Sequence, residues 1–209
     1  DIPIDETLRA LDDLIRAGKV RYIGTSTFEA WQVVESLWVS KELGLNRFIC
    51  EQPPYHILDR RIERGLLPMA RTYGTAIIPW SPLAGGLLTG KYSRTSPPPA
   101  DSRFADVANN PRLKARMTED VFAVVEGLQP MADAKQSTIS QLALAWCVQQ
   151  PGVTSPIIGP RTMEQLEDNL GALNVTITDE DRATIDQLVP PGRMVSPFYE
   201  ADFGPHQYR

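Results

Sequence analysis

The sequence predicts an α/β fold: a parallel sheet whose strands are joined by crossover helices. Three observations predict it. Short apolar runs alternate with stretches of helical periodicity, the connections between them are short, and a glycine closes each of the first three helical stretches. Asp5 to Ala17 places Leu8, Leu11, Leu14 and Ile15 at helical spacing, with acids early and Arg16 late to suit the helix dipole; Gly18 ends it. Val20 to Gly24 reads as a strand and Thr25-Ser26-Thr27 as the turn after it. Phe28 to Leu43 is a second helix, closed by Gly44. Phe48-Ile49-Cys50 is a second strand, ending at Glu51-Gln52-Pro53-Pro54. Asp59 to Tyr73 is helical again, closed by Gly74, and Ala76-Ile77-Ile78 is the third strand.

Residues 91–117 break this rhythm. Pro97-Pro98-Pro99 admits neither helix nor inner strand, and Asn109-Asn110-Pro111 is a turn, so the segment reads as an excursion loop with a short helix. Helix resumes at Thr118 to Lys135, where Pro130 is expected to end or kink it. Ser140 to Gln149 follows, introduced by the capping pair Thr138 and Gln141. Val153 to Ile158 is the fourth strand and Thr162 to Ala172 a helix. Thr178 to Leu188 is the last helix, with Thr178 and Asp181 as its capping box. Residues 190–209 form an irregular tail with the aromatics Phe198, Tyr199, Phe203 and Tyr208. With no internal repeat and no clean linker, residues 1–209 read as one domain.

Composition narrows the partners. A formal net charge of -5 and a pI near 5.1 argue against nucleic acid. No apolar run reaches the ~20 residues that cross a bilayer, and Asp1-Ile2-Pro3-Ile4-Asp5 has no signal-peptide pattern, so a cytoplasmic protein without a membrane partner is expected. Cys50 and Cys147 lie in apolar settings and read as core residues. With only His56 and His206 as histidines, no metal site is expected.

In parallel β/α folds the chemistry gathers at the carboxyl ends of the strands. Here those ends read Gly24-Thr25-Ser26-Thr27, Glu51-Gln52-Pro53-Pro54, Trp80-Ser81-Pro82-Leu83-Ala84-Gly85-Gly86 and Ile158-Gly159-Pro160-Arg161-Thr162. An amide such as Gln52 can bond a carboxamide from both its ends. Trp80 can stack on a heteroaromatic ring. Gly85 and Gly86 let backbone approach phosphate oxygens. Arg161 before a helix N-terminus suits an anion. Together they suit a large, flat, polar ligand.

These stretches, with Tyr22-Ile23-Gly24-Thr25-Ser26, the run Pro79 to Tyr92 and the run Ile157 to Leu170, resemble the aldo-keto reductase family, in its bacterial aryl-alcohol-dehydrogenase-like branch. The likeness runs from about Ile4 to Leu188. It implies a (β/α)8 barrel that binds NADPH in an extended pose and reduces aldehydes or ketones by hydride transfer. Carried over by position, Ser26 and Gln52 would hold the nicotinamide carboxamide. Thr27 stands where the family usually has Asn. Trp80 would stack on the nicotinamide ring. Ser81, Leu83, Gly85 and Leu87 would line the pyrophosphate with Lys91 beside them. Gly159, Arg161 and Thr162 would wrap the 2′-phosphate, with Gln165, Asp168 and Asn169 on the adenosine side. Arg161 argues for NADP over NAD.

The family's catalytic tetrad of Asp, Tyr, Lys and His belongs to the first half of its barrel, and no stretch here matches it. The resemblance therefore implies the C-terminal half of a barrel, about four parallel strands with flanking helices, and no catalytic residue among these positions. Such a half would pair with a second copy as a homodimer, meet a separate N-terminal half, or be an inactive gene fragment. The alternative to the enzyme reading is a non-catalytic NADPH-binding or self-pairing half-barrel. Excursion and tail would line the pocket of a small carbonyl substrate.

Overall fold

The computed structural model describes residues 2–195. The alternation is present: α1 (Ile4–Arg16), β1 (Gly24–Ser26), α2 (Ala30–Leu43), β2 (Cys50–Gln52), α3 (Leu66–Tyr73), β3 (Ala76–Ile77), α4 (Pro111–Lys114), α5 (Glu119–Ala134), α6 (Ile139–Val148), α7 (Met163–Leu170) and α8 (Asp179–Leu188). The strands form a parallel three-stranded sheet in the order β1-β2-β3, with Gly24 opposite Cys50, Ser26 opposite Gln52 and Glu51 opposite Ile77.

β1 and β2 lie later than the apolar runs that suggested them. Ile23 and Phe48 are buried, but against Leu8 of α1 in a small second core. Those runs anchor α1, and the ladder itself is built from the polar ends, Thr25-Ser26 and Glu51-Gln52. The fourth segment joins β3 and the chain after it in parallel only at Ile77–Val153 and Trp80–Ile157. Pro156 between them has no N–H to donate, so no continuous ladder forms there.

The helix expected over 59–73 is shorter. His56 and Asp59 exchange backbone bonds in a tight turn (2.9 and 3.3 Å), a 3-10 turn takes Arg61–Arg64, and α3 begins at Leu66. α5 runs through Pro130 instead of ending there; proline's fixed φ is helical, and the cost is one missing hydrogen bond in a helix held by its buried Val121, Val124, Val125, Leu128 and Ala132. Both expected capping boxes, Thr138/Gln141 and Thr178/Asp181, are formed.

The main core surrounds α6, which buries Ile139, Ser140 and every residue from Leu142 to Cys147. Trp146 packs against Tyr55 with ring centroids 5.1 Å apart. The excursion contains α4 and otherwise only turns and bends. It is pinned from inside by Phe104, fully buried with its ring edge-on to Tyr92 at 5.2 Å, and from outside by Arg94, which pairs with Glu119 and with Glu126 (2.8 Å) on α5. The tail is not wholly irregular. Arg60 N–H donates to Arg193 O (2.8 Å) and Val195 N–H to Leu58 O (2.9 Å), tying residues 193–195 to the loop after β2. The aromatics expected in the tail from Phe198 onward, and His206, lie outside the described residues. No helix among those described is long and apolar enough to cross a membrane.

One glycine sets the spacing of β1 and β2. A Cβ at Gly24 would lie 2.4 Å from Cys50 Sγ and 2.9 Å from its carbonyl oxygen. Gly24→Ala is expected to cost about 1–3 kcal/mol through overpacking, read as a lowered urea midpoint; an unchanged midpoint would show that the two strands part freely.

Candidate functional site

Adjacent strand ends bring the expected residues side by side. Ser26 and Gln52 are register partners, and the Ser26 hydroxyl donates to the Gln52 carbonyl at 2.8 Å. With its proton committed, Ser26 offers only lone pairs outward, so it selects a donor such as a carboxamide NH2. The next strand end follows directly: Trp80 N–H donates to Pro53 O (3.0 Å), and Ile157 N–H to Pro79 O (2.7 Å). Trp80 packs partly on the core and leaves the rest of its surface open.

The backbone here is unusual. Thr27 (φ 63°) and Ser81 (φ 55°) are left-handed, and Ala84, Gly85 and Gly86 form a left-handed run (φ 51°, 66° and 105°). For a β-branched residue such a φ is strained by about 1–3 kcal/mol. Asparagine tolerates this conformation better, so Thr27→Asn is expected to raise stability by about 1 kcal/mol, seen as a higher thermal midpoint; a lowered midpoint would mean that the threonine methyl contributes more by packing than its backbone loses.

Beyond Trp80 the Gly85-Gly86 turn forms a cradle. A Cβ at Gly86 would sit 3.3 Å from Lys91 Nζ and 3.5 Å from the Tyr92 hydroxyl. That hydroxyl is buried and makes no hydrogen bond among the described residues. The exposed Lys91 ammonium and the bare backbone can hold phosphate-like oxygens, whereas the buried Tyr92 hydroxyl lies behind them. Leu83 is half-buried at the turn, whereas the Leu87 side chain is 3% exposed and belongs to the core, so only the backbone of Leu87 can face a ligand.

At the fourth strand end Gly159 is open: a Cβ there would meet no atom within 4 Å. Arg161 is exposed and reaches the Asp101 carbonyl of the excursion at 3.3 and 3.4 Å. In the same excursion, burial, with the neighbouring guanidinium groups of Arg103 and Arg112, lowers the pKa of Arg116.

Residues 1–190 match the model of the Aldo/keto reductase family. The chain belongs to that family. It is 41% identical over 175 residues to a probable voltage-gated potassium channel subunit beta of Oryza sativa subsp. japonica, covering 83% of this chain and 53% of the relative. The protein of that description from Arabidopsis thaliana gives the same identity and coverage. The uncharacterized oxidoreductase YrpG of Bacillus subtilis (strain 168) is 34% identical over 191 residues, 91% of this chain and 56% of the relative. The chain thus spans about half the length of the curated relatives it matches.

Within this aldo/keto reductase chain, some expected ligand groups are already engaged. The Thr162 hydroxyl caps α7 by accepting from Gln165 N–H (3.2 Å), and the Gln165 side chain accepts from Arg161 N–H (2.7 Å). Asp168 accepts from Gln141 Nε2 (3.0 Å) and from the Thr138 hydroxyl (3.3 Å), so its carboxylate ties α7 to the start of α6. Asn169, on the same helix, is half-buried. Of the residues expected on the adenosine side, Asp168 is committed to this contact with the start of α6. Two residues escape a reading of the sequence alone. Tyr92 has the setting of an ordinary loop aromatic. Glu51 follows the apolar run that marks the strand in the sequence, and only the ladder places it inside β2, where a buried charge calls for a reason.

Proposed function

We propose that this chain forms the NADPH-binding half of a (β/α)8-barrel reductase acting on aldehydes or ketones. The observation that carries it is the order of the strand ends: a carboxamide clamp (Ser26, Gln52), an aromatic platform (Trp80), a phosphate cradle (Gly85, Gly86, Lys91) and a cation (Arg161) follow one another as the parts of an extended dinucleotide would. When bound, NADPH supplies a hydride. This chain's residues orient the ring, neutralise the phosphates and distinguish the 2′-phosphate. The proton donor, in this reading, comes from a half of the barrel that these positions do not span, whether on another segment or another chain.

A second reading is a cofactor-binding subunit without turnover. Its support is the likeness to the two plant proteins described as probable channel subunits.

Titration of the 209-residue chain with NADPH, followed by tryptophan fluorescence, tests the binding that both readings share. Saturable quenching lost in Trp80→Phe is expected. Arg161→Ala should weaken NADPH by roughly ten- to a hundredfold, the worth of a charge-assisted contact, and leave NADH unchanged. No quenching by NADPH would sink both readings. Reduction of an aromatic aldehyde after adding the complementary N-terminal half separates enzyme from binding subunit.

A further inference from the structure

The Glu51 carboxyl is completely buried in β2. Strand alternation puts it on the face opposite Gln52, beside Thr25, its register partner on β1. Glu51 Oε1 accepts from Phe28 N–H at 3.0 Å. Its Oε2 makes no hydrogen bond of good geometry among the described residues, although the Thr25 hydroxyl lies near enough to favour the ionised form. Burial raises the Glu51 pKa, and the Thr25 hydroxyl and the amides of Phe28 and Thr27 oppose that rise. A leucine would fill this space without the cost of desolvating a carboxyl group. The fold alone gives no reason for an acid here.

The loop that it holds gives one. Ser26-Thr27-Phe28 leaves β1 through the left-handed Thr27, a conformation that persists only where its surroundings enforce it. Consecutive residues of β2 enforce it from two sides. The Gln52 carbonyl takes the Ser26 hydroxyl at 2.8 Å, and the Glu51 carboxyl takes the Phe28 amide just beyond the strained residue. We propose that Glu51 is a positioning residue for the carboxamide clamp, holding Ser26 and Thr27 where the nicotinamide end of the cofactor meets them. This inference rests on the NADPH-binding reading above.

Two conservative variants, of which only Glu51→Gln is isosteric, and two ligands test it. Glu51→Gln keeps a carbonyl oxygen at the length needed to reach Phe28 N–H; Glu51→Asp keeps the charge but is one methylene short. NADPH probes both ends of the site, and adenosine 2′,5′-bisphosphate probes the phosphate end alone. Glu51→Asp is expected to weaken NADPH roughly tenfold or more and to leave the bisphosphate unchanged, while Glu51→Gln stays within about threefold of wild type for both. Equal losses for both ligands, no loss in Glu51→Asp, or a larger loss in Glu51→Gln than in Glu51→Asp would overturn the proposal. If a variant does not fold, Phe28→Ala serves as a control that leaves the amide and its bond in place, and it should keep the ratio of the two affinities; a changed ratio there would also count against Glu51. Failure of wild type to bind either ligand would instead remove the NADPH reading, and this inference with it.

Discussion

Arg60→Met is expected to destabilise the fold by about 3–5 kcal/mol, a large part of the ~5–15 kcal/mol that holds a domain together. The Arg60 side chain is 5% exposed and donates to Glu63 (2.8 Å), to Asp186 (2.7 Å) and to the Val189 carbonyl (2.6 Å), with its guanidinium 5.2 Å over the Trp146 ring. Glu63 also accepts from the Tyr55 hydroxyl (2.7 Å) and from Gly192 N–H (3.1 Å). One cation thus joins the loop after β2, the core at Trp146, the end of α8 and the chain beyond it. Methionine fills much of the volume but strands the Glu63 carboxylate in a nearly dry site, which is where the cost arises. Glu63→Gln added to Arg60→Met should therefore recover part of the loss. Urea unfolding of the single and double variants measures this. A loss below about 1 kcal/mol for Arg60→Met, typical of an exposed pair, would show that the network is not desolvated.

What the sequence makes legible depends on how local its cause is. Gly18, Gly44 and Gly74 stop helices because each takes a left-handed φ (69°, 64° and 62°), a requirement written in one residue. The capping boxes at Thr138 and Thr178 are likewise local. Strand limits are not: Val20 to Ile23 has the composition of a strand, yet whether it pairs with a neighbour or packs on α1 is decided by residues far along the chain. The turn at His56–Asp59 shortens a helix for the same reason, since Asp59 answers to Arg61 and to the chain near Met194. At the site, Ser26, Gln52 and Trp80 can be read together because parallel strands align their ends. The engagement of Asp168 with Thr138 and Gln141 cannot, because it depends on how α7 rests on α6.

Acid should weaken this protein well before its exposed carboxylates titrate. His56 is fully buried, and burial pushes its pKa down to about 4, with Asp59 opposing the shift and Arg61 adding to it. An unfolded histidine titrates near 6.5. Between these values the unfolded chain binds a proton that the folded chain refuses, so stability rises with pH through this window and is lost as pH falls from about 6.5 toward 4. The full difference is worth about 3 kcal/mol at 1.36 kcal/mol per unit. Glu51 acts in the opposite sense: its raised pKa lets the folded state take a proton first, which offsets part of the loss. Asp12 and Asp181, whose pKa values lie below the ordinary carboxylate value, add their own loss only as pH falls through about 4 and below. The region from pH 6.5 to 5 therefore belongs mainly to His56. Urea midpoints of wild type should fall steadily across it, and those of His56→Gln should stay nearly flat. Parallel slopes for the two proteins would mean that His56 meets solvent in the folded state and that the acid sensitivity has another source.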